Sequence, residues 1–208
     1  HPPTLPLAQV VAAATMVLPI VTTILAMQGR GCAGLLSGRP MGTGLLCWLT
    51  VLPASVANHL GHARFRFWQP PLQKLDRAFI SLSSVLACWG MSQSLLFTGA
   101  GALLGMAIVF MLLAAPRHIR DDENLITGCV GGLVVYALSG MALFRDGLDP
   151  YFIPAAFCLF SGAAVFNFEV GSIWADAIWH VLLGGYGLFV ALSAANFEEH
   201  LHGSCMGA

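Results

Sequence analysis

The chain has 208 residues, of which 57% are hydrophobic and 9% are charged, and its mean hydropathy is +0.78. Soluble domains carry about 25% charged residues, so this composition excludes an ordinary soluble domain and indicates a polytopic membrane protein. The net charge of −1 offers no basic surface for nucleic acid. The expected partners are therefore membrane lipids and the members of a membrane-protein complex, with no nucleic acid.

Apolar segments along the chain predict an all-α membrane protein, a seven-transmembrane-helix bundle that forms one domain over residues 1–208. A bilayer core about 30 Å thick needs roughly 20 apolar residues per helix. The expected helices cover about 7–27, 41–60, two within 75–115, 124–144, 151–168 and 173–195. Polar residues from Ser92 to Gly99 mark the hairpin between the third and fourth helices. A short polar tail is expected from about residue 196.

Lysine and arginine counts predict the orientation, because cytoplasmic loops are enriched in these residues. The second, fourth and sixth loops share a side with the N-terminus and hold six basic residues: Arg64, Arg66, Lys74, Arg77, Arg117 and Arg120. The opposite side holds three: Arg30, Arg39 and Arg145. The N-terminus is therefore expected inside and the C-terminus outside, in an integral multi-pass membrane protein.

Five polar residues are expected at one depth near the inner face. Ser55 and His59 lie four residues apart, so they share one face of the second helix. Asp76 begins the third helix at the same side, and Asp176 and His180 occupy the first two turns of the seventh. Ionisable groups inside a membrane are costly and are functional candidates by default. The topology thus predicts that three separate helices bring these residues together.

Histidine nitrogen and carboxylate oxygen are ligands that zinc accepts, and a catalytic zinc site keeps one position for water. Zinc lowers the pKa of its bound water to about 7, which supplies a nucleophile at neutral pH. A carboxylate beside that water can orient it or act as a general base. The cluster is therefore a candidate site for metal-assisted hydrolysis.

The arrangement of Ser-x-x-x-His, an aspartate after the next loop and a paired motif in the last helix resembles a superfamily of seven-helix membrane metal hydrolases. The superfamily includes alkaline ceramidases, adiponectin and progestin receptors, hemolysin-III-like proteins and GPI-remodelling proteins. The spacing is most similar to the receptor branch, in which an aspartate in a Lys-Leu-Asp-like context follows a histidine by 17 residues. Here Asp76 follows His59 by 17 residues, within Lys74-Leu75-Asp76.

The resemblance implies zinc as the cofactor, with His59 and His180 as ligands and with Asp76 and Ser55 supporting the zinc-bound water. The family carries His-x-x-x-His in the seventh helix, whereas this chain reads Asp176-Ala-Ile-Trp-His180. Asp176 then takes the first ligand position and gives a site of two histidines and one aspartate, or the replacement marks a loss of metal binding. The implied reaction is hydrolysis of a lipid amide or ester, because the site opens among apolar helices.

Structural roles remain alternatives for the same residues. Asp176 and His180 can form a hydrogen-bonded pair that only joins helices, and Asp76 can be an N-terminal helix residue favoured by the helix dipole. The rival function is a non-catalytic integral membrane subunit of a larger complex, in which the polar cluster is structural. The lack of a lysine in the last helix argues strongly against a retinal protein. A bis-histidine haem protein that uses His59 and His180 is a further alternative, which the lack of an attachment motif disfavours.

Overall fold

Helices make up every regular element of the part of the chain that the computed structural model describes, namely residues 5–29, 40–64, 69–114, 150–168 and 172–202. The helices are α1 (Leu5–Thr15), α2 (Leu18–Gly29), α3 (Pro40–Arg64), α4 (Gln69–Ser92), α5 (Leu95–Ala114), α6 (Phe152–Asn167) and α7 (Ala175–His202), with a 3₁₀ turn at Ser172–Trp174. The all-α class is thus confirmed for these ranges. The helix expected at 124–144 lies outside the described residues, so the seven-helix count stays a prediction.

Three helical stretches among the described residues are long and apolar enough to cross a membrane: Leu7–Gly29, Pro40–Gly61 and Ala175–His200. Shorter apolar runs cover Leu95–Met111 and Phe152–Phe166. These lengths match the thickness of a hydrocarbon core, and they support an integral membrane protein.

The first expected helix, 7–27, is interrupted between Thr15 and Leu18. Pro19 explains the interruption, because proline has no N–H to donate to the carbonyl of Thr15 and its ring crowds that carbonyl. Two irregular bonds bridge the break, from Val17 N to the Ala14 carbonyl (3.3 Å) and from Ile20 N to the Val17 carbonyl (3.1 Å). The apolar span expected at about 7–27 is thus confirmed as Leu7–Gly29, with a break inside it.

The hairpin expected within 75–115 is confirmed, since α4 ends at Ser92 and α5 begins at Leu95. Gln93 makes the turn with a positive φ of 48°. Its backbone N–H donates to the Trp89 carbonyl at 2.8 Å, and the Ser92 hydroxyl accepts from Ser94 N at 3.1 Å. The first bond continues the helical pattern of α4, and the second gives Ser94 N a side-chain acceptor where the chain reverses direction.

The main apolar cluster lies among α2, α3, α6 and α7, around Trp48 and Tyr186. Glycines on α7 let its neighbours approach closely, as small residues do in membrane helix packing. A β-carbon added at Gly184 would lie 3.0 Å from Leu18 Cβ, and one added at Gly187 would lie 3.2 Å from Pro19 Cα. The helix pair α2–α7 therefore depends on these missing side chains.

The last helix was expected to end at about 195, but α7 continues to His202, so the first residues of the predicted polar tail are helical. Glu198 lies in the predicted tail, yet only 3% of its surface is exposed. Its carboxylate accepts a hydrogen bond of 3.4 Å from the backbone N–H of Met41 in the first turn of α3. An acidic group at a helix N-terminus is stabilising, and this contact holds the last turns of α7 against the bundle.

Candidate functional site

His59 of α3 and His180 of α7 face each other at one end of the bundle. Their ring centroids are 5.0 Å apart, and the ring planes meet at 78°. Both side chains are buried, with 8% and 4% of their surfaces exposed. The two histidines that the sequence separates by more than half of the chain therefore share one location, as predicted from the helix order.

A glutamine of α1 links His59 to Asp176. The Nε2 of Gln9 donates to Asp176 Oδ2 at 3.0 Å, and Gln9 Oε1 lies 2.7 Å from His59 Nδ1. Asp176 is half-buried in the first turn of α7, and the helix dipole favours a carboxylate there. One amide group thus connects a predicted ligand from α3 with a predicted ligand from α7.

His180 is held by the same first helix. Its Nδ1 lies 2.8 Å from the Ala12 carbonyl and 3.2 Å from the Thr15 hydroxyl oxygen. The Thr15 hydroxyl itself donates to the Ala12 carbonyl at 2.8 Å. These contacts occur in the last turn of α1, immediately before the break that Pro19 imposes.

Asp76 forms the other carboxylate of the cluster and is buried, with 8% of its surface exposed. Asn58 Nδ2 donates to its Oδ2 at 3.1 Å. The Ser55 hydroxyl and Arg77 stabilise the carboxylate electrostatically, whereas Asp176 repels it. In the described part of the chain, no donor forms a well-directed hydrogen bond with Oδ1. A buried carboxylate oxygen that lacks such a donor is costly and calls for an explanation.

The structure thus brings all five predicted residues, Ser55, His59, Asp76, Asp176 and His180, to one end of the bundle. Sequence reasoning did not single out Gln9, Thr15 or Asn58. Gln9 carried a usable signal, because it is the one side-chain amide in the apolar segment 7–27 and lies near the end that the topology assigns to the site. Asn58 carried a weaker one, as the neighbour of His59.

The side chains at this site are of types that bind zinc, but they are not arranged as a complete zinc site. Two imidazoles and the carboxylate of Asp176 are suitable ligand chemistry. The Asp76 Oδ1, which has no well-directed donor, is suited to accept from a water molecule. Within the described ranges, however, no group of three or more His, Cys, Asp or Glu side chains is arranged to hold a metal ion. A third ligand would have to move toward the histidine pair.

The fold and the site together define a helical membrane protein with a buried histidine–carboxylate cluster at one end of the bundle. Comparison with protein-family models, with curated proteins and with solved structures gives no significant match. The cluster is therefore interpreted from its own geometry and chemistry.

Proposed function

We propose that this chain is a zinc-dependent membrane hydrolase that acts on a lipid amide or ester. The observation that carries the proposal is the contact of His59 with His180, which Gln9 links to Asp176, in a cluster that also includes Asp76. Oδ1 of Asp76 lacks a well-directed donor. Polar groups that only join helices tend to hydrogen-bond one another, whereas a binding site leaves some polar atoms able to bond a ligand. The resemblance to the seven-helix metal hydrolases supports the same reading.

His59, Asp176 and His180 are the proposed ligands. When bound, zinc would acidify a water molecule and polarise the substrate carbonyl. Asp76 would orient a water molecule and accept its proton, because its carboxylate is buried and its Oδ1 has no well-directed donor. Ser55 is assigned to the developing oxyanion; its hydroxyl interacts with Asp76 in the resting site and must rotate to serve the substrate.

The proposed orientation has the N-terminus inside and the C-terminus outside in a seven-helix bundle, which puts the cluster near the inner face. A reagent that does not cross membranes is expected to label Cys205 from the outside and to miss a cysteine introduced as Gln69→Cys. The reverse labelling pattern would show that the basic residues misled the assignment.

Metal analysis of the purified full chain, without chelator, tests the function directly. Wild type is expected to contain stoichiometric zinc and to release fatty acid from a fluorogenic acyl-amide or acyl-ester lipid. His180→Ala is expected to lose the zinc and the activity, because an imidazole ligand is gone. His200→Ala is the matched control, since His200 is exposed on the same helix and both properties are expected to persist.

Two carboxylate variants separate the proposed roles. Asp76→Asn is expected to retain zinc and to lose hydrolysis, because the amide cannot accept the proton. Asp176→His is expected to keep or to strengthen zinc binding, since neutral imidazole is a good zinc ligand. Wild-type protein without metal would end the hydrolase proposal.

The rival is a non-catalytic membrane subunit in which the cluster joins helices. Two sets of hydrogen bonds within the chain favour it. Gln9 connects His59 with Asp176, and the Ala12 carbonyl accepts from His180. On this reading, wild type contains no stoichiometric metal, and substitutions at the cluster change only folding or assembly. The same metal analysis therefore decides between the two functions.

A further inference from the structure

Every one of the three proposed zinc ligands hydrogen-bonds to α1, a helix that contributes no ligand itself. His59 and Asp176 contact the side chain of Gln9, and His180 contacts the carbonyl of Ala12. In metal sites, partners of this kind fix the tautomer and the ring orientation of histidine ligands. The first helix therefore lies where it can orient the three proposed ligands without binding the metal itself.

The direction of the Gln9 hydrogen bonds follows from the partner on α7. An ionised carboxylate only accepts hydrogen bonds, so the Gln9 group near Asp176 must be the donating Nε2. The remaining amide atom, Oε1, is an acceptor and lies 2.7 Å from His59 Nδ1. Nδ1 must then carry the proton, which leaves the lone pair of a neutral His59 ring on Nε2.

The same reasoning gives the tautomer of His180. The Ala12 carbonyl can only accept, so His180 Nδ1 at 2.8 Å is the donor. The Thr15 hydroxyl gives its hydrogen to that carbonyl as well, and its oxygen lies 3.2 Å from Nδ1 as a second acceptor. Two independent sets of contacts thus put the proton on Nδ1 in both rings.

We propose that Gln9 is a positioning residue that transmits the orientation of Asp176 to His59, and that α1 sets both imidazoles in the Nδ1–H tautomer. A neutral histidine in this tautomer offers Nε2 to a ligand. The role of this tautomer in catalysis rests on the proposed function, whereas the hydrogen-bond relay stands on the geometry of α1 alone. Gln9 touches neither substrate nor metal in this account; it acts through His59 and Asp176.

The chain break at Pro19 sets the end of the supporting helix α1. α1 ends at Thr15, and the Ala12 carbonyl still accepts the regular helical bond from Met16 N at 3.2 Å, in addition to the bonds from the Thr15 and His180 side chains. A continuous helix through residue 19 would require an N–H that proline does not have. The break thus separates the supporting helix α1 from the packing helix α2.

The proton positions can be measured by nitrogen NMR of the full chain, labelled with ¹⁵N-histidine, reconstituted in lipid nanodiscs and washed free of metal. Protonated and unprotonated imidazole nitrogens differ widely in chemical shift. In wild type, His59 and His180 are both expected as Nδ1–H. Gln9→Leu is expected to move His59 toward a mixture with the Nε2–H form, and to leave His180 unchanged. Gln28→Leu is the matched control, since Gln28 is exposed on α2, and neither ring is expected to respond.

A double-mutant cycle tests whether Asp176 acts through Gln9. Asp176→Ala is expected to shift His59 as Gln9→Leu does, because the amide loses the acceptor that fixes its direction. In the Gln9→Leu background, Asp176→Ala is expected to cause no further shift of His59. Asp176→Asn keeps an acceptor oxygen for Gln9 Nε2 and is expected to restore the wild-type tautomer.

Wild-type His59 with its proton on Nε2 would overturn the proposal without any variant. An equal effect of Asp176→Ala in the presence and absence of Gln9 would also overturn it. The unchanged His180 signal reports that each variant is folded. If Gln9→Leu does not fold, Asp176→Ala still tests the relay, because an unshifted His59 in that variant would overturn it. A protein without zinc that shows the expected tautomers would end the hydrolase proposal and leave the relay intact, so the two ideas fail separately.

Discussion

Helices α3 and α7 meet through two aromatic pairs that lie at different depths of the bundle. Trp48 and Tyr186 pack edge to face, with centroids 6.2 Å apart and planes at 86°, and His59 and His180 pack similarly at 5.0 Å and 78°. All four side chains are buried to a similar degree. Burial and ring geometry therefore do not distinguish the packing pair from the candidate site.

The surroundings of the two pairs differ. The Trp48–Tyr186 pair lies in an apolar cluster with residues such as Leu45, Leu159 and Ala191. The histidine pair belongs to a polar cluster that includes two carboxylates, and hydrogen bonds link both histidines to α1. Within a membrane, helices associate mainly through packing and interhelical hydrogen bonds. The first pair uses close packing, and the second uses directed hydrogen bonds, which specify the orientation of each ring.

Removing the packing pair is expected to have the largest effect on stability and little effect on the site. Trp48→Ala should lower the free energy of unfolding by about 3–5 kcal/mol, the usual loss for a buried tryptophan. Reversible unfolding in mixed detergent measures this loss, and the zinc content of the folded fraction should be unchanged. Trp174→Ala is the control, because Trp174 is 39% exposed. Equal losses in the two variants would contradict the assigned packing role.

Removing a hydrogen bond from the site is expected to have an intermediate effect. Asn58→Ala leaves Asp76 Oδ2 without its 3.1 Å donor, and an unsatisfied buried acceptor costs about 1–3 kcal/mol. The loss should shrink in an Asp76→Asn background, where the carboxylate is absent. Asn196→Ala, at a half-buried asparagine in the α7 segment near the far end of the bundle, is the control. If Asn58→Ala costs the same stability in the wild-type and Asp76→Asn backgrounds, Asn58 does not act through its hydrogen bond to Asp76.

The smallest effect is expected at a glycine in the apolar part of α3. Gly44→Ala should raise the free energy of unfolding by about 0.5–1 kcal/mol, because glycine in a helix interior is disfavoured relative to alanine and an added β-carbon meets nothing within 4 Å. Gly162→Ala should act in the opposite direction, since its β-carbon would lie 2.6 Å from Trp179 Cζ3. Thermal unfolding of the two variants shows whether each one is more or less stable than wild type. If both variants shift in the same direction, the packing described around Gly44 or around Gly162 is contradicted.

The sequence anticipated the cluster because helix order constrains depth. In a bundle whose segments alternate in direction, the end of the second helix and the starts of the third and seventh lie on one side. His59, Asp76 and His180 could therefore be assigned to one end before any contact was known. The hairpin at residues 93–94 was equally predictable, since polar residues interrupt an apolar run that is too long for one helix.

By itself, the sequence determined the helical class, the apolar stretches suited to a membrane and the common level of the five polar residues, because these depend on hydropathy and on local periodicity. Only the tertiary structure decided that α1 holds the site and that Glu198 secures the end of α7 against α3. Hydropathy shows that Gln9 is unusual in its segment but does not show which neighbours its two amide atoms reach. That choice depends on how helices far apart in the chain rotate against one another, which is a property of packing across the whole bundle.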